Sequence, residues 1–395
     1  MQPVIKIRKR NENLKPVDPP EAPELTERES SREVARTVKG WVAEWQQRRK
    51  ELVSHSLRVS LLVLLCFLVS PESSAQHLRE AFRKVEQSVV VIRTNQKNLA
   101  PFPEKGMVSL NGLGSGVLIS ENKVLTAAHL VQSADKTIVE FSDGELIAAQ
   151  VAGSTMSADI ALLQLERAPT GAAAVLLGDS DRVAVGDQIF VVGAPYGLSR
   201  TLSVGHISGR HALNKRSERG SSVEFLQTDA AINTGNSGSP VFNLDGEVVG
   251  IISNILSRSG GSEGLAFASA SNTVRRALLE QKPFWSGIEG VLVEGDLARA
   301  LNLPQAAGLL VQRVAEGSIA WRWGIRPGKL RASVEGEELL LGGDIILALN
   351  EVSVERGGTT DEIYASVNQV RAGDNLIIKV FRRGQTLTLS VPLGP

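Results

Sequence analysis

From Ser88 to Ala268 the apolar residues fall in short runs of strand length, many of them alternating with polar positions and separated by turn residues. The two-residue period predicts strands over Ser88–Arg93, Ser115–Ile119, Lys123–Thr126, Thr137–Phe141, Glu145–Val151 and Ile160–Leu165. It predicts five more over Gln188–Val192, Leu202–Ser208, Val223–Gln227, Glu247–Ser253 and Gly264–Ala268. Asp143-Gly144 and Asp245-Gly246 supply turn chemistry between neighbouring strands. No helical pattern interrupts the series, so it fits antiparallel barrels rather than a parallel α/β sheet. A short amphipathic helix over Gln76–Gln87, with Leu78, Phe82 and Val85 along one face, leads into it. A helix capped by Ser271 or Asn272 and running to about Gln281 closes it before Pro283.

After Phe284 the rhythm mixes. A strand is followed by a short helix (Asp296–Leu301), a strand (Leu309–Val314), a helical turn (Ser318–Trp323) and a strand (Asp344–Leu349). A helix (Thr360–Val370) and two strands (Leu376–Phe381, Thr386–Val391) complete a small α+β unit. The expected domains are therefore 76–283, mainly β, and 284–395, α+β, with no internal sequence repeat. The amino-terminal part is different in kind. Residues 1–55 form a charged extension, expected to be disordered up to Glu24 because it is poor in apolar residues. Glu29–Leu52 carries a helical pattern, with Val34, Val38, Trp41, Val42 and Trp45 along one side.

Val59–Val69 (VSLLVLLCFLV) is the one long apolar run, far short of the roughly 20 residues that span a bilayer. With Arg58 before it and Ser73-Ser74-Ala75 after it, segment 56–75 has the form of an export signal. Two arrangements account for the residues upstream: an uncleaved signal-anchor, holding the chain to a membrane through 57–69, or a translation start near Val53. Either exports everything after Gln76, to a periplasm or cell envelope.

Composition narrows the chemistry. The 395 residues carry 43 basic and 43 acidic side chains, a formal net charge of zero, which leaves no basic excess for nucleic acid. The single cysteine, Cys66, excludes an intrachain disulfide framework and a multi-cysteine metal site. What stands out is Asp229-Ala230-Ala231-Ile232-Asn233-Thr234-Gly235-Asn236-Ser237-Gly238-Ser239-Pro240. A serine between glycines suits a nucleophile on a tight loop, although such runs are also ordinary turn chemistry. A serine hydroxyl needs a base, and the base an orienting acid. His129 ends an apolar strand among small residues, whereas His55 and His77 lie in or near the export segment, and His206 and His211 have no serine-activating context. Asp159 precedes the apolar run Ile160–Leu165, where an unpaired carboxylate is costly.

The order His, Asp, Ser and the stretches around it resemble the trypsin-like protease domain of the HtrA/DegP family. The matching stretches include Gly114-Ser115-Gly116-Val117-Leu118-Ile119, Leu125-Thr126-Ala127-Ala128-His129 and Ala158-Asp159-Ile160-Ala161. Leu177-Gly178-Asp179-Ser180, Gly193-Ala194-Pro195-Tyr196-Gly197, Gln227–Asn233, Gly235-Asn236-Ser237-Gly238 and Ser271-Asn272-Thr273 follow in order. The resemblance implies a chymotrypsin-like double β-barrel, with Ser237 as nucleophile, His129 as general base and acid, and Asp159 as the orienting carboxylate. It makes the N–H groups of Gly235 and Ser237 the oxyanion hole, shaped by Asn236, and Ala231 and Ser253 part of the substrate pocket. An apolar pocket base at Ala231 implies cleavage after small or medium aliphatic residues, with Asp229 structural. Ser239 departs from the family, which usually has glycine there.

Residues 284–395 resemble the family's PDZ domain. Trp285-Ser286-Gly287-Ile288-Glu289-Gly290 is similar to its carboxylate-binding loop, which implies that Ser286, Gly287, Ile288 and Glu289, with Ile363 and Val367, hold a peptide C-terminus. Trp321, Trp323 and an insertion at 329–341 depart from that pattern. The resemblance implies no cofactor and no metal, unfolded protein or peptide substrates, and a homotrimer with Gln76–Gln87 and Phe82 as candidate contacts. The expected function is an exported, ATP-independent serine endopeptidase acting on misfolded envelope proteins. The alternative is a chaperone or peptide-binding scaffold with little turnover.

Overall fold

The computed structural model describes residues 35–50, 74–98, 108–213, 223–257, 261–281, 285–334, 336–350, 352–354 and 375–392. Two units separate at Ser73. In the first, helix α1 (residues 35–50) leaves its side chains exposed, and the Arg49 guanidinium lies 5.3 Å from the Trp45 ring centre. The apolar run Val59–Val69 lies outside the described residues. Among the described residues no helix is long and apolar enough to cross a membrane.

The second unit starts with α2 (Ser74–Val85), which accounts for the predicted amphipathic helix up to Val85, its last two residues forming a 3-10 turn with Ser88. Six strands follow: β1 (Val89–Asn98), β2 (Val108–Ser120), β3 (Lys123–Thr126), β4 (Lys136–Glu140), β5 (Leu146–Thr155) and β6 (Ile160–Leu165). A one-turn helix, α3 (Ala128–Val131), interrupts them after β3. They close into a barrel in the order β1-β2-β3-β6-β5-β4. Then come β7 (Gln188–Gly193), β8 (Thr201–Leu213), β9 (Val223–Thr228), β10 (Pro240–Phe242), β11 (Val248–Ile255) and β12 (Ala266–Ala270). These close as β7-β8-β9-β12-β11-β10, the same order repeated. The mainly β double barrel expected from the sequence is thus present. The pattern missed β10, whose three residues behind Pro240 are too few to show a period. The helix after β12 begins as α4 (Ser271–Val274) and continues as a wider π-helical turn over Arg275–Glu280.

The apolar runs without alternation have a structural cause. Along β6, Ala161, Leu163 and Leu165 fill the interior of the first barrel, while Ile160 and Leu162 join a second core between the barrels. Likewise β7 sends Ile189 and Val191 into the second barrel and Phe190 and Val192 into the shared layer. Phe190 stacks on Phe242 there, ring centres 5.1 Å apart, and Val274 and Leu278 from the closing helix and Ala81 and Val85 from α2 seal it. A strand covered on both faces needs apolar residues at every position. The two barrels are thereby held face to face, and the loops at one end of their seam face one another.

The carboxy-terminal part contains β13 (Ile288–Glu294), α5 (Gly295–Ala300), β14 (Ala307–Val314) and α6 (Ile319–Arg322). A hairpin of β15 (Leu330–Val334) and β16 (Glu337–Leu341) lies in the 329–341 insertion, and β17 (Ile345–Leu349), β18 (Val352–Ser353), β19 (Asn375–Arg382) and β20 (Gln385–Pro392) follow. Its sheet runs β13-β14-β17-β19-β20, with β18 on β17, so β13 is an edge strand. Fully buried Asp344 is neutralised by a two-point contact from Arg382, Nε to Oδ1 at 2.6 Å and Nη2 to Oδ2 at 2.7 Å. The predicted helix Thr360–Val370, with Ile363 and Val367, lies outside the described residues.

Candidate active site

His129 stands on α3, immediately after β3, and Asp159 on the turn that leads into β6. The two strands are neighbours, Thr126 opposite Ala161, which brings residues 30 apart in sequence into contact. Asp159 adopts a left-handed backbone, φ 49°, a region uncommon for residues with a side chain but one that aspartate and asparagine enter more readily than most. That turn aims its carboxylate back at α3. Oδ1 accepts the His129 backbone N–H at 2.9 Å, and Nδ1 of the ring lies 3.0 Å from Oδ1 and 2.8 Å from Oδ2. A carboxylate partner makes Nδ1 the protonated nitrogen and leaves Nε2 with a free lone pair, the state a general base requires. Oδ2 also accepts the Ser253 hydroxyl at 2.6 Å from β11 in the second barrel. Ser253, taken from the sequence as a pocket residue, thus also touches the carboxylate. Nothing local could signal that, since the two residues are 94 apart.

Ser237 lies on the loop between β9 and β10. Its surroundings dictate where the loop's N–H groups point. The Tyr196 N–H donates to the Thr234 carbonyl at 2.8 Å, and a trans peptide sets its N–H opposite its C=O. The Gly235 N–H is therefore turned away from the Tyr196 loop. The Ser239 N–H likewise holds the Asn236 carbonyl at 2.9 Å, which turns the Ser237 N–H the other way. Among the described residues neither N–H has a protein acceptor. Two unpartnered donors on one tight loop are what an oxyanion hole needs. Gly235, at φ 100°, permits the turn, and a side chain there would overlap the Ala194 carbonyl. Asn236 is buried, 3% exposed, under the loop that it was expected to shape.

His129, Ser237, Thr234 and Gly235 share one cleft of about 430 Å³, whose walls include Leu113, Leu130, Ile232, Ile252, Ser253 and Ile255. Ile232 rather than Ala231 enters it. Ala231 is exposed on the far side of the chain, its carbonyl accepting the Ser203 hydroxyl at 2.9 Å. Adjacent residues of an extended segment face opposite ways, so with Ala231 turned outward Ile232 turns in. Asp229 stays outside the cleft, with Oδ1 accepting the His206 N–H at 2.6 Å. A larger cleft of about 700 Å³, near Ser133 and Arg313, has no histidine in its walls and is not this site.

The loop Ser286–Glu289 abuts the segment just beyond α3. The Gln132 side chain donates to Ser286 Oγ at 3.2 Å and to the Ile288 carbonyl at 2.9 Å, and Trp285 Nε1 donates to the Gln132 carbonyl at 3.0 Å. Glu289 accepts the Ser133 hydroxyl at 2.5 Å and faces Arg313 at 3.2 Å. Gly287, φ 74°, presents its carbonyl to the Ala315 N–H at 2.9 Å.

Residues 114–251 match the trypsin-like peptidase domain family. A probable periplasmic serine protease, do/HhoA-like, from Haemophilus influenzae is 35% identical over 302 residues, 72% of this chain and 59% of that protein. The periplasmic pH-dependent serine endoprotease DegQ of Escherichia coli is 37% identical over 247 residues, 60% and 53% of the two chains. The chain thus spans little more than half the length of these curated relatives. A solved structure of the HtrA-type protease AlgW with decapeptide is 29% identical, covers 80% of this chain and 98% of its own, and superposes with a TM-score of 0.44.

Proposed function

We propose that this chain, which carries a trypsin-like peptidase domain homologous to those of the DegP/HtrA serine proteases, is itself a serine endopeptidase. The observation that carries the reading is His129, held by Asp159, sharing one cleft with Ser237 and with two N–H groups that have no protein acceptor among the described residues. In the reaction, Ser237 Oγ attacks the scissile carbonyl while His129 Nε2 takes its proton, and Asp159 stabilises the imidazolium. The Gly235 and Ser237 N–H groups receive the charge on the carbonyl oxygen. Collapse of the adduct breaks the C–N bond, with His129 returning the proton to the leaving amine. Water then attacks the acyl-enzyme by the same proton route. Ile232, Ile252 and Ile255 leave no counter-charge for a cationic side chain, which favours cleavage after valine or alanine.

Residues 284–395 are read as a PDZ domain. The edge position of β13 supports the addition of a client C-terminus as an extra strand, through Ser286–Glu289 with Ile363 and Val367. A homotrimer is part of the same proposal. Tyr196 and Leu198, exposed at 69% and 67% on the loop after β7, offer apolar contact area, whereas Phe82 is half-buried against the core. Export to the periplasm accords with the relatives' description as periplasmic proteases, while anchoring through 57–69 and action on unfolded envelope proteins rest on the sequence reading. Casein degradation by the wild type and by Ser237→Ala tests the central claim. Turnover by the wild type alone is expected, and equal degradation by both would refute it.

A further inference from the structure

The Gly114-Ser115-Gly116 stretch takes no part in the triad, yet Ser115 makes three contacts behind it. Ser115 is on β2 and fully buried. Its N–H donates to the Ser237 carbonyl at 2.8 Å. Its hydroxyl lies 2.8 Å from the Gly235 carbonyl and 2.9 Å from the Ala194 N–H. The proton positions follow without choice. A backbone N–H can only donate, so Ser115 Oγ accepts from Ala194 and its own proton goes to Gly235 O. The Ser115 carbonyl is in turn held by the Thr126 hydroxyl at 2.7 Å, on the strand that leads to His129.

We propose that Ser115 is the positioning residue of the oxyanion hole. This rests on the protease reading above. The peptide linking Gly235 to Asn236 lies between the two oxyanion donors, and the Ser115 hydroxyl is what fixes its carbonyl. If that peptide rotates, the N–H groups of Gly235 and Ser237 lose their common focus. The brace also crosses the seam, because Ser115 belongs to the first barrel, whereas Gly235, Ser237 and Ala194 belong to the second. Gly114 permits the approach, since a side chain there would stand 3.0 Å from the Ser237 carbonyl and would overlap Leu130. Ser115 touches no reacting atom, so its effect is on the transition state through the loop, with ground-state binding in the cleft left intact.

The test is Ser115→Ala in the full chain, with a valine-P1 peptide amide as substrate and a peptidyl valine boronic acid as inhibitor, whose tetrahedral adduct places an oxygen in the hole. Removing one buried hydrogen bond behind the loop should lower kcat roughly tenfold with KM within about twofold, and weaken the boronate by the same factor. Ser115→Cys keeps the shape with a weaker donor and should fall between the two; it carries the test by the same readouts if the alanine variant does not fold. Unchanged kcat and unchanged boronate affinity in either folded variant would overturn the proposal, as would a rise in KM at constant kcat. Wild-type turnover that depends on Ser237, alongside a Ser115→Ala enzyme equal to it, would refute this inference alone. Absence of Ser237-dependent turnover in the wild type would take down the protease reading and this inference together.

Discussion

Replacing Ser239 by alanine should stabilise the protein. Ser239 is fully buried two residues after Ser237, and among the described residues its hydroxyl has no hydrogen-bond partner. It fills space left by Gly193, where any side chain would overlap it and the Asn236 amide oxygen. A buried hydroxyl without a partner costs about 1–3 kcal/mol. Alanine removes that cost and leaves a void of roughly one oxygen atom, ~12 Å³, worth about 0.3 kcal/mol at ~24 cal/mol per Å³. The net gain is about 0.7–2.7 kcal/mol, which for a unit of this size raises Tm by roughly 1–11 °C. Glycine should gain less, because Ser239 does not have a positive φ and the freer chain loses about 0.5–1 kcal/mol. Scanning calorimetry of Ser239→Ala and Ser239→Gly, both in a Ser237→Ala background to prevent autolysis, measures the order directly. A Ser239→Ala protein that melts more than about 2 °C below its parent would refute the reasoning, because it would mean that the hydroxyl is satisfied.

Three further outcomes follow from the same geometry. Asp159→Asn keeps the shape but offers His129 Nδ1 a donor as readily as an acceptor, so kcat on a peptide amide should drop about 10³–10⁴-fold at unchanged Tm; a loss under about tenfold would count against the triad. Gly235→Ala forces a side chain into φ 100° and onto the Ala194 carbonyl, which displaces an oxyanion donor; stopped assays should show kcat lower by about 10²–10³. Asp179 accepts the Asn272 amide at 2.7 Å and the Asp181 N–H at 3.0 Å, which hold its carboxyl below the ordinary aspartate value. Its folded pKa being the lower one, its stabilisation is present above the unfolded value and is lost as pH falls through the folded one. Asp179→Asn should therefore flatten the acid limb of Tm against pH, below about pH 4, and an unchanged limb would show that the tie is irrelevant.

Much of this fold was legible along the chain. Lys123–Thr126 and Ile160–Leu165 have the bounds read from their apolar pattern, because strand period and side-chain direction are properties of adjacent residues. The turns at Asp143-Gly144 and Asp245-Gly246 hold glycines at φ 88° and 81°, as the dipeptides implied. Asp159, Ser237 and His129 could be singled out beside apolar strands as candidates for the chemistry, and the fold brings His129 and Ser237 to one cleft. Less was visible where an element is too short or too irregular to carry a period: β10 behind Pro240, and the β15–β16 hairpin inside the insertion.

Other features arise only when the barrels close. The repeated strand order has no trace as a sequence repeat, since hydrogen bonding between strands uses backbone groups that every residue has. The Ser253 hydroxyl on Asp159 and the Ser115 hydroxyl on Gly235 join residues 94 and 120 apart, and both cross the seam between the barrels. No local preference encodes such pairs. The sequence by itself determined most of the strands, the turns and the candidates for the reacting groups, because these depend on neighbours along the chain. Which way the loop's N–H groups face, and what braces them, was decided by packing one barrel against the other.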